Sequence, residues 1–398
     1  MRRHVFLLPA RSATPCAPRI VCGIDRSTLR AQHVLARRAS GVVTPWARGC
    51  AQAPAHPLMR RRAPAARVVR VSTEPVVAAG SVDGYGPIFN AGVIVHDGCY
   101  HLFARAVRNG YRTNPDAGPG QPRFLDYVSD LLVFVSNDGL DYRFRKVLLA
   151  SVPGTVYEDP RIQQIVSGGR PHFLLTYTNV PARETGETWR GGIAELTYRD
   201  GDWSVAGHHP AVGPEGVPNK DVVLCNLAGG RIGLIQRLER DTWPQQTIQI
   251  AIFDTLEALW GTTAAYWQHF MDTLPERTII SPRPGANGVG GGAPPLLVDG
   301  ELVFFYHERD HANVYMTRVA LLDRRTGRVR ALLDEPILAP ELPWELAGDV
   351  GSVIFVEGAQ LREDGTIYLT YGASDRHVGA ATIKAGPLIA ALRSIAAT

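Results

Sequence analysis

Residues 92–106 read GVIVHDGCYHLFARA, two runs rich in β-branched and aromatic residues separated by Asp97-Gly98. An Asp-Gly pair between such runs signals a tight hairpin, because both residues adopt the positive φ that the turn requires. The same design recurs at RIQQIVSGGRPHFLLTYTN (161–179), DVVLCNLAGGRIGLIQRLE (221–239), PLLVDGELVFFYHERD (295–310) and VIFVEGAQLREDGTIYLTYGASD (353–375). Between these hairpins lie second β-rich pieces at 131–147, 193–205, 248–260 and 314–333, with HVGAATIKA (377–385) closing the chain. Units of two hairpins, each about 60 to 70 residues long, predict four-stranded blades around an axis: an all-β, five-bladed β-propeller. A long β-sandwich would also hold many strands, but it gives no reason for one hairpin chemistry to recur five times. Helix is expected at GPLIAALRSIAA (386–397) and as a turn or two within TLEALWGTTAAYWQHFM (255–271).

The formal charge of +4 conceals a split. Residues 1–73 hold 14 Arg, no Lys and one acid, Asp25, so the rest of the chain is acidic, at about −9. Residues 1–73 are rich in Arg, Ala and Pro and lack apolar periodicity, which predicts a disordered extension or a start site assigned too early, with Met59 as an alternative start. The propeller is therefore expected over 74–398. An acidic body argues against nucleic acid, and no apolar stretch approaches the roughly 20 residues that span a bilayer. Cys99 and Cys225 lie far apart without metal or disulfide spacing, which points to a reducing, cytoplasmic setting and to no metal.

The second strand of each hairpin ends in polar or charged groups: Arg105, Asn179, Arg237, Tyr306-His307-Glu308 and Asp375. Equivalent positions of propeller blades face one central region, so these residues are candidates for a shared ligand pocket. YEDPRI (157–162) enters the second hairpin. Pro160 biases Asp159 toward extended backbone, which predicts that Glu158 and Asp159 point to opposite sides, with Arg161 able to pair with either. Asp-Pro also opens ordinary turns, so the hexamer alone leaves both a turn and a site open.

YEDPRI, TYTN (176–179), NKDVVL (219–224), LIQRLE (234–239), GGGAPPLLVDGELVFFYH (290–307) and FVEGAQ…YLTYGASDRHVGAA (355–381) resemble, in order and spacing, glycoside hydrolase family 130. The resemblance spans about residues 81–390 and implies a five-bladed propeller that acts on β-mannosides by phosphorolysis or hydrolysis. It implies inverting attack at an anomeric carbon with Asp159 as general acid, Asn90, Arg105 and Asp375 on the sugar, and Lys220 and Arg237 on phosphate. Inorganic phosphate is then the co-substrate and no other cofactor is needed. Two departures from the phosphorylase pattern, Gln236 before Arg237 and Thr178 before Asn179, keep hydrolysis open, with Glu308 or Asp221 as base; Asp221 is otherwise expected to fix Lys220. The expected partner is an oligosaccharide or glycoside, with a homo-oligomer left open.

GANGVGGGAPP (285–295) leads into Pro-Pro rather than a helix, so it reads as a loop rimming the pocket and not as a phosphate-binding loop. Trp189 and Trp243 are candidates for sugar stacking. Two other classes compete: a five-bladed glycosidase with three carboxylates, against which Asn90 counts, and a non-catalytic sugar-binding propeller.

Overall fold

The computed structural model describes residues 67–118, 122–181, 187–239 and 246–397. Five of its sheets are antiparallel blades that each run outward from the axis, and Arg112–Thr113 pairs with Phe124–Leu125 in a separate two-stranded ribbon. Blade one comprises Tyr85–His96, Cys99–Arg108, Ser129–Ser136 and Arg143–Leu149. Blade two comprises Thr155–Ser167, Arg170–Pro181, Arg190–Arg199 and Asp202–Val212. Blade three comprises Asn219–Asn226, Ile232–Leu238, Ile248–Phe253 and Thr278–Ile280. Blade four comprises Ala286–Gly291, Glu301–Asp310, Tyr315–Leu322 and Val329–Leu332, with Leu296–Val298 paired beside the second strand. Blade five comprises Ile354–Leu361, Thr366–Ala373, His377–Lys384 and Val69–Arg70.

The last strand corrects the expected boundary. Val69 and Arg70 pair with Thr382 and Ala381, so the sheet begins before residue 74, and an early strand completes the final blade. Two residues carry too little periodicity to be read as a strand. The remaining prediction of disorder for the extension, residues 1–66, lies outside the described residues.

Period-two alternation sends successive side chains of each blade to opposite neighbours. Phe103 and Val133 of blade one pack on Ile162 and Leu175 of blade two; Leu174 of blade two packs on Val222 and Leu234 of blade three. Val223 and Ile235 meet Phe304 and Tyr306 of blade four, while Val303 and Phe305 meet Ile354 and Leu369 of blade five. Tyr368 and Val378 of blade five close the ring on Val93 and Leu102 of blade one. Each blade pair thus has its own apolar layer, which is why strands here are apolar on both faces and the polar groups collect at the axis.

Helix appears where expected, with more of it in blade three. Leu256–Trp260, Ala264–Asp272 and Leu274–Arg277 intervene between the third and fourth strands, and Thr255 and Thr263 cap the first two. Ala385–Ala396 lays Leu388, Ile389 and Leu392 on the layer between blades four and five.

GANGVGG is a correction. Residues 286–291 form the innermost strand of blade four rather than a loop. Glycine hides the strand pattern because neighbours occupy the side-chain space: a Cβ on Gly290 would lie 2.2 Å from Asp221 Oδ2 and 2.3 Å from the His307 ring.

Candidate active site

The innermost strands of blades one, two and three share one local irregularity. Register slips between Phe89 and Ala91, between Glu158 and Arg161, and between Lys220 and Val223. At these bulges Asn90, Asp159 and Asp221 take φ of 47°, 53° and 57°. Asn and Asp are the residues best able to hold the left-handed region, and a bulge re-aims the side chain toward the axis. The innermost strand of blade five presents Glu357 beside another register shift, between Val356 and Gly358. The sequence contained this repetition in FNAG, YEDPRI, NKDVVL and FVEGAQ, so aligning the first strands would have revealed Glu357.

The bulge overturns the expected separation of the two adjacent acids. Asp159 is not extended, and both carboxylates meet the same cation: Arg105 Nη2 donates to Glu158 Oε1 at 2.7 Å, and Nη1 to Asp159 Oδ1 at 3.2 Å. Asn90 Nδ2 adds a 2.8 Å bond to the same Asp159 oxygen. The Arg105 guanidinium itself lies 4.9 Å from the Phe89 ring centroid and 5.5 Å from that of Tyr127.

Arg161 pairs with neither of its neighbouring carboxylates. Fully buried, it donates from Nη1 to the Asp159 carbonyl at 2.9 Å and from Nε to the Gly292 carbonyl at 2.9 Å. Its Nη2 lies 3.2 Å from Asp221 Oδ1, 3.2 Å from the Gly291 carbonyl and 3.0 Å from Glu357 Oε1. One side chain from blade two therefore ties together blades three, four and five.

Lys220 and Asp221 also part company. Lys220 Nζ donates to Glu158 Oε2 at 2.8 Å. Asp221 instead bridges Arg161 and Arg237, with Arg237 Nε 3.2 Å from Oδ2. His307 Nε2 lies 3.4 Å from Arg237 Nη1, and its ring stands 3.9 Å from that of Phe355. Burial, with Arg237 and Arg161 nearby, keeps His307 well below the ordinary imidazole range, so it is neutral.

Burial by itself would raise the Asp159 carboxyl. Arg105, Lys220, Arg161 and the Asn90 bond outweigh that and hold it well below the usual carboxylate range. Glu158 is likewise lowered against its burial by Arg105 and Lys220. The opposite holds for Asp375: burial, reinforced by Asp159, Glu158 and Asp349, pushes it up to about 7 although Arg105 opposes. Burial also raises Glu357 well above its ordinary value, against the opposing pull of the Arg161 guanidinium. The same environment thus lowers Glu158 and Asp159 and raises Asp375 and Glu357.

Three predicted site residues do not join this group. Tyr306 follows Phe304 into the apolar layer between blades three and four. Glu308, two residues on, faces that same side and is bound by Arg318 Nε at 2.6 Å and approached by Arg283 Nε at 3.5 Å. Asn179 pairs across from Tyr157 and donates to the Pro210 carbonyl at 3.2 Å. Strand alternation decides all three, because the neighbouring residues His307 and Val180 are the ones directed toward the site.

Beside the charge cluster opens a cavity of about 310 Å³ lined by Glu158, Val180, Trp189, Lys220, Arg237, Glu239, Gln246 and Tyr315. Asp159 stands next to it through Glu158. Trp189 reaches the cavity, as a sugar-stacking candidate should, whereas Trp243 lies outside the described residues. Nothing in the sequence singled out Gln246 or Tyr315, and Glu239 ends the LIQRLE motif with no role read for it, since a wall assembled from several blades has no contiguous motif.

A family model described as beta-1,4-mannooligosaccharide phosphorylase, of glycoside hydrolase family 130, matches residues 259–393. A beta-1,2-mannobiose phosphorylase of Thermoanaerobacter sp. (strain X514) is 30% identical over 326 residues, covering 80% of this chain and 97% of the relative. A 1,2-beta-oligomannan phosphorylase of the same organism is 29% identical over 329 residues, with coverage of 80% and 97%. The solved beta-1,2-mannobiose phosphorylase from Listeria innocua, in complex with beta-1,2-mannobiose, superposes with a TM-score of 0.65 at 19% identity, over 82% of this chain and 99% of that one.

Proposed function

The chain belongs to glycoside hydrolase family 130 and is a glycoside-active enzyme, and from that premise we propose that it cleaves β-1,2-linked mannosides by inverting phosphorolysis. The observation that carries this reading is the cavity beside Glu158-Asp159, in which Lys220 and Arg237 supply two cations to one small polar space. Converging cations are what a doubly charged nucleophile requires. The names of the two curated relatives support β-1,2 over other linkages. The reading of a sugar-binding propeller without catalysis is set aside by family membership.

In this mechanism hydrogen phosphate sits between Lys220 and Arg237, and one of its oxygens attacks the anomeric carbon opposite the leaving sugar. The bond from that carbon to the aglycone oxygen breaks as the bond to phosphate forms, and the β-mannoside becomes α-mannose 1-phosphate. The proton lost by hydrogen phosphate balances the one gained by the aglycone oxygen. Asp159 is the general acid: Asn90 and Arg105 both hold Oδ1, which leaves Oδ2 to pass the proton. The free enzyme keeps Asp159 ionised through its surrounding cations. An arriving dianion engages Lys220 and adds negative charge, and both changes raise the Asp159 pKa toward the protonated form that the step needs. Asp375, with a pKa of about 7, can donate or accept a hydrogen bond at a sugar hydroxyl near neutral pH.

Hydrolysis needs a base on the attacking side. Glu308 is bound by Arg318 and Arg283, and Asp221 is held between Arg161 and Arg237, so neither of the expected bases lines the cavity. The test is incubation with β-1,2-mannobiose with and without inorganic phosphate. Mannose and mannose 1-phosphate should form in equal amounts only when phosphate is present, and mannose release at the same rate without phosphate would refute the reading.

A further inference from the structure

Arg237 has a polar or charged neighbour within 3.4 Å of every guanidinium nitrogen, although Nε makes no hydrogen bond. Nε faces Asp221 Oδ2 at 3.2 Å, Nη1 reaches Gln246 Oε1 and His307 Nε2, each at 3.4 Å, and Nη2 pairs with Glu239 Oε1 at 2.9 Å. Asp221 and His307 are buried and do not line the cavity, whereas Glu239 and Gln246 do. A carboxylate thus stands on the wall of a space suited to anions and covers the edge of the cation that an anion must use. Glu239 is also fixed in place: Trp189 Nε1 donates to Oε2 at 3.2 Å, and Gln246 Nε2 to Oε1 at 3.1 Å. Glu158 covers Lys220 in the same manner.

Resting on the phosphorolytic reading above, we propose that Glu239 is a specificity-determining residue of the anion site, occupying Arg237 in the free enzyme and competing with phosphate for it. Phosphate must draw Nη2 away from Glu239, and it then lies beside a fixed like charge. Glu239 therefore raises the phosphate concentration that the enzyme needs, without touching the mannoside.

Glu239→Gln keeps an acceptor for Trp189 and Gln246 and removes the charge. One unit charge about 5 Å from a dianion, even at the dielectric of water, changes anion binding about tenfold. Initial rates across a phosphate series at saturating β-1,2-mannobiose should show the phosphate KM falling by about that factor in E239Q, with the mannobiose KM unmoved. Inorganic phosphate should also raise the thermal midpoint of E239Q at correspondingly lower concentrations, a readout that needs no turnover. Gln246→Glu makes the opposite change and should raise the phosphate KM, which keeps the proposal testable if E239Q does not fold. A phosphate-dependent wild type whose phosphate KM is unchanged or higher in E239Q overturns this assignment alone. A wild-type rate indifferent to phosphate overturns the reading beneath it as well.

Discussion

Asp375 is a carboxyl whose charged form the fold disfavours, and this can be measured as stability. Its pKa is about 7 in the folded protein, raised by burial and by Asp159 and Glu158, against an ordinary 3.8. The folded state therefore binds more protons than the unfolded chain between those two values, and stability falls as pH rises through that window. Below about pH 4 both states are protonated and nothing is lost; above about pH 7 the loss is complete. At about 1.36 kcal/mol per pH unit, the loss grows by about 3 kcal/mol between pH 5 and pH 8. Asp375 keeps some solvent access, which screens the effect to roughly 1–2 kcal/mol. Asp375→Asn mimics the protonated form and abolishes the titration. Thermal melts of both proteins at pH 5 and pH 8 should show the D375N midpoint gaining on wild type by about 3 °C at the higher pH. An equal midpoint difference at the two pH values would refute the reasoning.

Asp159→Asn should lower turnover of β-1,2-mannobiose by at least about 100-fold, the lower bound for a lost general acid, while circular dichroism stays native; unchanged turnover would remove Asp159 from the chemistry. Arg161→Met should cost about 3–5 kcal/mol, the range for breaking a buried ion pair, because it leaves Asp221 with Arg237 alone and frees the Gly291 and Gly292 carbonyls. Urea unfolding would register that as a lower midpoint at constant slope, and a change under 1 kcal/mol would argue against the four-blade tie.

Hairpin turns depend on neighbours in sequence, so Asp97-Gly98 and its counterparts announced the blades and their number. The innermost strand of blade four stayed hidden because its glycines answer to His307 and Asp221, which are remote in sequence. The site was half legible for a related reason. A place at a strand end marks Arg105, Arg237 and Asp375, but it does not say which strand face Tyr306, Glu308 and Asn179 occupy. Asp159 was found by its motif but misjudged in conformation: a preference for extended backbone before proline is local, and the bulge opposite Thr176 and Thr178 overrides it. Tyr315 belongs to no motif, and the part Glu239 plays at the end of LIQRLE emerges only when the blades close.

The most direct test of the account is the anomeric form of the first product. Proton NMR recorded during the early turnover of β-1,2-mannobiose with inorganic phosphate should show α-mannose 1-phosphate appearing first, before any free mannose beyond the released aglycone. Initial formation of β-mannose 1-phosphate, or of two free mannose molecules per bond cleaved, would contradict it.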